Sequence, residues 1–219
     1  MSGQLNGQLN GQLNGQLNGQ LSGPRSASLR QARWHRHVKA VNAPAALARW
    51  LTAPGSLTAR LIGHSQAFRV QRLHQNTALC LADEARAIGM GRPGRVLERE
   101  VLLRCDGAAV VFAHTVVPLS DSASDWPLFG GLGERSLGST LFYDPLVRRG
   151  QLEFARLRAG HPLVRRAIAA LGDAAAPPAA MYYARRCLYH RHQGTLLVTE
   201  VFLPPVLSLQ RVPPNKNVK

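Results

Sequence analysis

The sequence predicts an α+β fold: a mostly antiparallel sheet of six strands, with short helices that cover a buried ligand pocket. Two pairs of apolar runs are each joined by a short turn signal, Asp106-Gly107 in one pair and Gln193-Gly194 in the other, and such signals mark β-hairpins. The remaining strands and helices do not alternate strictly, as they would in a parallel α/β fold. About 190 residues remain after a low-complexity start, which is one domain's length.

The N-terminal segment is a short repeat. Residues 3–18 are four copies of Gly-Gln-Leu-Asn, and an imperfect copy follows. One leucine in four residues cannot build a core, and glycine and asparagine oppose helix formation. We therefore predict a disordered tail over residues 1–24, a folded domain over 25–205 and a polar C-terminal tail over 206–219.

The stretch from Val96 to Pro118 carries the clearest hairpin pattern. Alternate side chains of a strand face opposite sides of the sheet. The first strand places Leu97, Arg99, Val101, Leu103 and Cys105 on one face, and Val96, Glu98, Glu100, Leu102 and Arg104 on the other. The second face is predicted to hold the ordinary charges of the strand, whereas the first is apolar apart from its one arginine.

Arg99 is therefore a charge on an apolar face. Burying an unpaired charge is very costly, so this guanidinium needs an anion, supplied either by the protein or by a ligand. The second strand of the hairpin, Ala109 to Pro118, is apolar on both faces apart from His114 and Thr115. It is expected to lie inside the sheet and not at its edge.

Shorter patterns place the other elements. Ser56 is suited to cap a helix, and Gly89 and Gly172 are suited to end two others. In chain order, the predicted elements are helices over Pro44–Leu51 and Leu57–Leu61, a strand over Ala67–Gln75, helical turns over Leu81–Ile88, a loop over 120–131, a helix over Glu134–Phe142, a strand over Gln151–Arg158, a helix over His161–Leu171, a linker over 173–180, and strands over Tyr183–His192 and Thr195–Leu203. We expect Trp34 to anchor the basic segment before the first helix on the domain.

Glu200 is a second charge in an apolar strand. It shares a face with Leu196, Val198 and Phe202, and both faces of this strand are apolar, so the carboxylate is expected to be buried. Desolvation would raise its pKa unless a cation or a donor offset it. One interpretation is a structural salt bridge to Arg99. We favour the other, in which a buried cation and a buried anion hold opposite ends of one small polar ligand.

The chain is strongly basic. Its formal net charge is +15, from 27 basic and 12 acidic residues, and 24 of the basic residues are arginine. Such a charge could attract nucleic acid, a membrane surface or a small acidic substrate. Because the arginines are scattered and form no long basic run, we expect no specific nucleic-acid binding. No stretch approaches the length of a membrane span, and no secretory signal is present, so we expect no membrane insertion.

Cofactor and metal motifs are missing from the sequence. Three cysteines lie far apart without a CxxC pair, which argues against a disulfide framework and fits a reducing cytoplasm. His190 and His192, like His35 and His37, lack the carboxylate or cysteine that would complete a metal site. There is no dinucleotide fingerprint, Walker loop or GxSxG elbow. We expect no metal, no cofactor and a monomeric protein.

Five motifs resemble the chorismate pyruvate-lyase family, whose members open ubiquinone synthesis in Gram-negative bacteria. They are WLTAPGSLTARL, REVLLRCDG, HTVVPLS, LGERSLGSTLF and LLVTEVFLP, and they follow the family's order between Ala32 and Pro204. The resemblance implies a chorismate lyase-like fold. It also implies a cytoplasmic enzyme that converts chorismate to 4-hydroxybenzoate and pyruvate without a cofactor.

The resemblance also implies roles for particular residues. Arg99 would hold the ring carboxylate with help from the backbone N–H groups of Leu57 and Leu137, and Glu200 would contact the 4-hydroxyl. Arg99 and Glu200 are thus the expected catalytic residues. Leu57 and Leu137 each follow a serine near a predicted helix start, where free N–H groups can bind an anion. His114 stands where the family pattern has arginine and is a candidate pocket residue.

A rival interpretation comes from a different functional class. The effector-binding domains of certain transcription regulators share this type of fold by resemblance, and they bind a small molecule without converting it. Such a domain normally follows a helix-turn-helix segment. The low-complexity start of this chain argues against that arrangement.

Overall fold

A computed structural model describes residues 32–122, 124–172 and 179–212 of the chain. In these residues six strands form one antiparallel sheet in the order β1-β2-β3-β6-β5-β4, which confirms the predicted fold class. The strands are β1 (Phe68–Leu79), β2 (Arg95–Cys105), β3 (Ala108–Pro118), β4 (Val147–Arg158), β5 (Met181–Arg191) and β6 (Gly194–Phe202). As predicted, β3 lies inside the sheet.

The turn between β2 and β3 is the one that the sequence predicts. Asp106 and Gly107 both have positive φ, 50° and 81°, as this type of hairpin turn requires. The turn between β5 and β6 is one residue earlier than predicted, because the positive φ falls on His192 and β6 already begins at Gly194. Gly194 serves a close approach instead: a Cβ there would lie 2.5 Å from the Cβ of Asp125.

The helices are short and cover both faces of the sheet. They are α1 (Ala45–Leu51), α2 (Leu57–Ile62), α3 (Ala82–Ala87), α4 (Leu119–Ser122), α5 (Pro127–Gly130), α6 (Leu137–Tyr143) and α7 (Pro162–Leu171), with 3₁₀ turns at Val38–Val41 and Pro204–Ser208. Apolar side chains of α1, α2, α5 and α6 pack on one face, and those of α3 and α7 pack on the other. None of the helices in the described ranges is long and apolar enough to cross a bilayer.

Four of the predicted segment bounds are corrected by the structure. The edge strands β1 and β4 are longer than predicted, because their many polar, partly exposed residues hide the strand pattern. The segment predicted as a loop over 120–131 contains most of α4 and all of α5. The domain does not stop at residue 205, since Val206 is fully buried in the core cluster that contains Leu51 and Val101.

The segment before α1 is fixed on the domain, as predicted. The indole Nε1 of Trp34 donates to Asp83 Oδ2 at 2.7 Å, and the guanidinium of Arg186 lies 4.4 Å from the centroid of the indole ring. The predicted tail over 1–24, most of the linker over 173–180 and the last residues of the predicted C-terminal tail lie outside the described residues.

Candidate active site

A cavity of about 540 Å³, counting its mouth, lies between the sheet and the starts of α2 and α6. Strands β1, β2, β3, β5 and β6 all contribute lining side chains. Four of the five residues singled out from the sequence line this cavity, namely Leu57, Arg99, Leu137 and Glu200.

Arg99 is a buried cation that pairs with no carboxylate of the described chain. The residue is 2% exposed. Its Nη2 donates to the carbonyl oxygens of Gly133 and Arg135, each at 3.0 Å, while Nε is buried and has no hydrogen-bond partner there. Burial, together with the charge of Arg72, lowers the pKa of Arg99 to about 10, so the guanidinium remains charged at neutral pH. The described part of the protein supplies no anion to Arg99, so a bound ligand is the remaining candidate.

Glu200 pairs with Arg185 and not with Arg99. The two residues lie directly opposite each other on β6 and β5, and Arg185 Nε donates to Glu200 Oε2. Nη1 of Arg185 donates to the carbonyl oxygens of Leu51 at 3.3 Å and Ala53 at 3.2 Å, at the end of α1. The alternative salt bridge between Arg99 and Glu200 is therefore wrong, because the neighbouring strand supplies the cation.

Leu57 and Leu137 are the first residues of α2 and α6. The first N–H groups of a helix have no partner within the helix, so these two amides remain available beside the cavity. A hydrogen bond of 2.7 Å between the hydroxyls of Thr58 and Ser136 joins the two helix starts. The two segments therefore cover the cavity as a linked pair.

His114 lies on the opposite face of the sheet from the cavity. In the β2–β3 ladder Arg99 faces Thr115, which lines the cavity, whereas His114 faces Glu100. Directly opposed residues of a ladder project to the same side. The candidate pocket role of His114 is therefore wrong, because strand alternation turns its side chain away from the ligand space.

His114 belongs instead to a buried group of charges that we call the ionic cluster. Its members are Glu84, Glu98, Glu100, His114 and Arg166. Glu98 is 0% and Glu100 5% exposed, so the prediction that these are ordinary strand charges is wrong. Helix α7 covers this face and brings Arg166, whose Nη1 donates to Glu98 at 3.0 Å and to Glu100 at 2.7 Å.

Within the ionic cluster, His114 and the carboxylates of Glu84 and Glu100 favour one another's charged forms. The Nε2 of His114 lies 2.9 Å from Glu84 Oε1, and its Nδ1 lies 3.4 Å from Glu100 Oε1. Burial alone would lower the pKa of His114, but the carboxylates of Glu84 and Glu100 raise it to about 10. Burial would likewise raise the pKa of Glu100, but His114 and Arg166 lower it to about 2.

Three members of the ionic cluster have a spacing that could hold a metal ion. The ligand atoms of Glu98, Glu100 and His114 lie within 4.8 Å of one another. Arg166 donates to both of these carboxylates, so the protein's own cation already occupies the position between them. The two carboxylates are therefore already paired with a cation of the protein.

Arg185 and Tyr189 also line the cavity, and neither was predicted. Burial raises the pKa of Tyr189, with the nearby Cys187 and Glu200 adding to the shift, so the ring carries a neutral phenol. Alternation along β5 places Arg185 on the same face as Cys187 and Tyr189, which is the signal that identified Arg99 on β2. The adjacent Arg186 hid this signal. Two consecutive arginines place one charge on each face of the strand, so neither face is apolar with a single charge.

Sequence comparison identifies the family of this chain. The sequence model of the chorismate lyase family matches residues 28–212, a range that contains all of the cavity residues. This chain belongs to the chorismate lyase family.

Curated members of the chorismate lyase family are similar to this chain over most of their length. A protein of Cupriavidus metallidurans is 48% identical over 182 residues, covering 81% of this chain and 83% of its own. One of Ralstonia nicotianae is 52% identical over 159 residues, covering 72% and 80%. One of Dechloromonas aromatica is 42% identical over 182 residues, covering 83% and 100%. All three are named "probable chorismate pyruvate-lyase".

Solved structures outside the chorismate lyase family share a distant similarity with this chain. The effector domain of PhnF from Mycobacterium smegmatis has a TM-score of 0.48 and 15% identity, covering 68% of this chain and 89% of that domain. A GntR-family regulator from Bacillus cereus has a TM-score of 0.47 and 10% identity, covering 67% and 98%.

Proposed function

We propose that this chain is a lyase that converts chorismate to 4-hydroxybenzoate and pyruvate, the first committed step of ubiquinone synthesis. The observation that carries the proposal is Arg99, a buried cation that faces a cavity and has no carboxylate partner in the described chain. The names of the relatives agree with this activity. Three buried, free cysteines fit the expected cytoplasmic location, and the proposal takes the active form to be a monomer.

In this proposal Arg99 binds the ring carboxylate of chorismate. A hydrogen bond between a guanidinium and a carboxylate is strengthened by the two charges, and the unpartnered Nε of Arg99 is a donor that can make one. The backbone N–H groups of Leu57 and Leu137 complete the anion site. Glu200, fixed by Arg185, contacts the hydroxyl at the opposite side of the ring.

The reaction depends more on how the substrate is oriented than on reactive groups supplied by the protein or a cofactor. The bond between the ring carbon and the ether oxygen of the enolpyruvyl group breaks, the adjacent hydroxyl-bearing ring carbon loses its hydrogen, the methylene carbon of the side chain gains one, and the side chain departs as pyruvate. The ring becomes aromatic, which drives the reaction without a cofactor. The protein's work is to orient the substrate, exclude water and stabilise charge on the departing group. Glu200 orients the hydroxyl and takes part in proton movement.

The test is to incubate the purified full chain with chorismate and to measure pyruvate and 4-hydroxybenzoate. The proposal requires the two products in equal amounts, and requires an Arg99→Ala variant of normal melting temperature to form far less of both. Tight binding of chorismate without turnover would contradict the proposal. It would support a non-catalytic effector-binding domain instead.

A further inference from the structure

We propose that Arg185 is the second anion-binding group of the cavity: it fixes Glu200 through Nε and binds the second carboxylate of a dianionic ring substrate through Nη2. This inference rests on the proposed function. It assigns a substrate contact to a residue that neither the sequence patterns nor the resemblance singled out.

Two of the three nitrogens of the Arg185 guanidinium are hydrogen-bonded to the protein, and the third is not. Nε donates to Glu200, and Nη1 donates to the carbonyl oxygens of Leu51 and Ala53. Nη2 has no hydrogen-bond partner among the described residues, and Arg185 lines the cavity. Because the other nitrogens fix the plane of the group, Nη2 is a pre-oriented donor and needs little ordering when a ligand binds.

The charges that line the cavity fit an anionic ligand. Arg99 and Arg185 contribute two positive charges, and Glu200 contributes one negative charge. Glu200 contacts Arg185 through Nε, and its single negative charge does not balance the two arginines. A ligand with two carboxylates can therefore meet one arginine at each end.

The connectivity of the substrate places its second carboxylate near Arg185. In chorismate the enolpyruvyl group is attached to the ring carbon next to the one that carries the hydroxyl. If Glu200 contacts that hydroxyl, the enolpyruvyl carboxylate lies beside Glu200, far from the ring carboxylate at Arg99. Arg185 is the cation that Glu200 contacts directly, so it is the group best placed to receive this second carboxylate.

The experiment compares two unreactive ligands that differ by one carboxylate. Calorimetric titration would measure the binding of 4-hydroxybenzoate, with one carboxylate, and of 3-(carboxymethoxy)-4-hydroxybenzoate, whose second carboxylate is on an ether at the enolpyruvyl position. Arg185→Gln should weaken binding of the second compound by about tenfold or more beyond its effect on the first, because a hydrogen bond to a charged group is lost. Arg185→Lys should restore part of the difference.

Two further variants make the result specific. Arg186→Gln changes the neighbouring arginine, which pairs with Glu153 on the other face, and should alter both affinities equally or not at all. The double variant Arg185→Gln/Glu200→Gln removes the ion pair without leaving a lone buried charge. It should show the same selective loss even if the single variant is too unstable to measure.

Two outcomes would overturn the inference. If Arg185→Gln and the double variant weaken both ligands by the same factor while the wild-type protein binds both, Arg185 acts only through Glu200 or the fold. In that case the proposed function stands and the inference fails. If the wild-type protein binds neither ligand and releases no pyruvate from chorismate, the proposed function and this inference fail together.

Discussion

Three arginines are buried in the described residues, and they differ in what surrounds them. Arg185 pairs with Glu200 and Arg186 pairs with Glu153, whereas Arg99 donates to main-chain carbonyls. A carbonyl oxygen solvates a guanidinium without neutralising it, so a net charge remains at Arg99. Burial lowers the pKa of Arg99 because this charge is not compensated, and a bound carboxylate would compensate it.

Replacing Arg99 should therefore affect binding more than stability. Arg99→Ala is expected to weaken binding of 4-hydroxybenzoate by about 2–5 kcal/mol, the usual cost of truncating one side of a buried charge pair. Arg99→Lys should recover only part of this, because an ammonium keeps the charge but not the fixed N–H geometry of the guanidinium. Calorimetry measures the affinity and a thermal melt measures the stability.

The matched control for Arg99 is Arg95→Ala, which removes an exposed arginine from the same strand and should bind 4-hydroxybenzoate as the wild type does. Unchanged affinity in Arg99→Ala would exclude Arg99 from the ligand site. A melting temperature far below that of wild type, with normal turnover by the folded fraction, would assign Arg99 a structural role instead.

Among the secondary-structure elements, strand β2 has charges of opposite sign on its two faces. The cavity face holds Arg99, and the other face holds Glu98 and Glu100 under α7. Alternation alone predicted the apolar face correctly. Alternation could not predict that the charged face is buried. This burial depends on the ion pairs with Arg166, which lies 66 residues further along the chain from Glu100.

The ionic cluster should make stability depend on pH. A histidine in the unfolded chain has a pKa near 6.5, and in the folded protein the pKa of His114 is about 10. Its contribution is therefore complete below about pH 6.5 and is lost as the pH rises through about 10. The difference in unfolding free energy between wild type and His114→Gln should shrink between about pH 6 and about pH 9 in urea titrations.

The exposed His37→Gln is the control for that comparison, since it removes a histidine outside the ionic cluster. A difference between wild type and His114→Gln that stays constant across this pH range would contradict the account of the cluster. It would mean that the glutamates do not hold His114 in its charged form.

Helices α2 and α6 should act together as the cover of the cavity. Gly138 allows their close approach, since a Cβ there would lie 3.1 Å from Thr58 Oγ1. Thr58→Val removes the hydrogen bond to Ser136, which is worth about 1 kcal/mol. Both the association and the dissociation rates of 4-hydroxybenzoate should then rise by about fivefold in stopped-flow measurements, because the cover opens more often.

Thr52→Val is the control for the cover, because the exposed hydroxyl of Thr52 bonds to a carbonyl of its own helix. Its rates should match those of wild type. If Thr58→Val raised the dissociation rate alone, the hydroxyl would be a ligand contact and not part of a cover.

Across the whole molecule, the features that could be predicted from the sequence are those that depend on local residue patterns. The two hairpins followed from turn residues and alternating faces, and Arg99 followed from parity along one strand. The partner of Glu200 could not be predicted, because it depends on the register between β5 and β6. The length of β1 and β4 could not be predicted either, because edge strands are partly exposed and tolerate polar residues on both faces.

The net charge of +15 should not make this a specific nucleic-acid binder. Six arginines contact carboxylates or carbonyl oxygens of the protein itself: Arg99, Arg104, Arg166, Arg185, Arg186 and Arg191. We expect duplex DNA to bind weakly and without sequence preference at physiological salt, with a steep salt dependence in anisotropy titrations. Tight, sequence-specific binding would contradict the enzyme proposal.

The most direct test of the central claim is a crystal structure of the protein with bound 4-hydroxybenzoate. We predict that the carboxylate lies within hydrogen-bond distance of Arg99 and of the N–H groups of Leu57 and Leu137, with the hydroxyl at Glu200. A product molecule elsewhere would contradict the account. The neighbouring apolar cavity lined by Trp126 and Phe129 is one such place, and the ionic cluster around His114 is another.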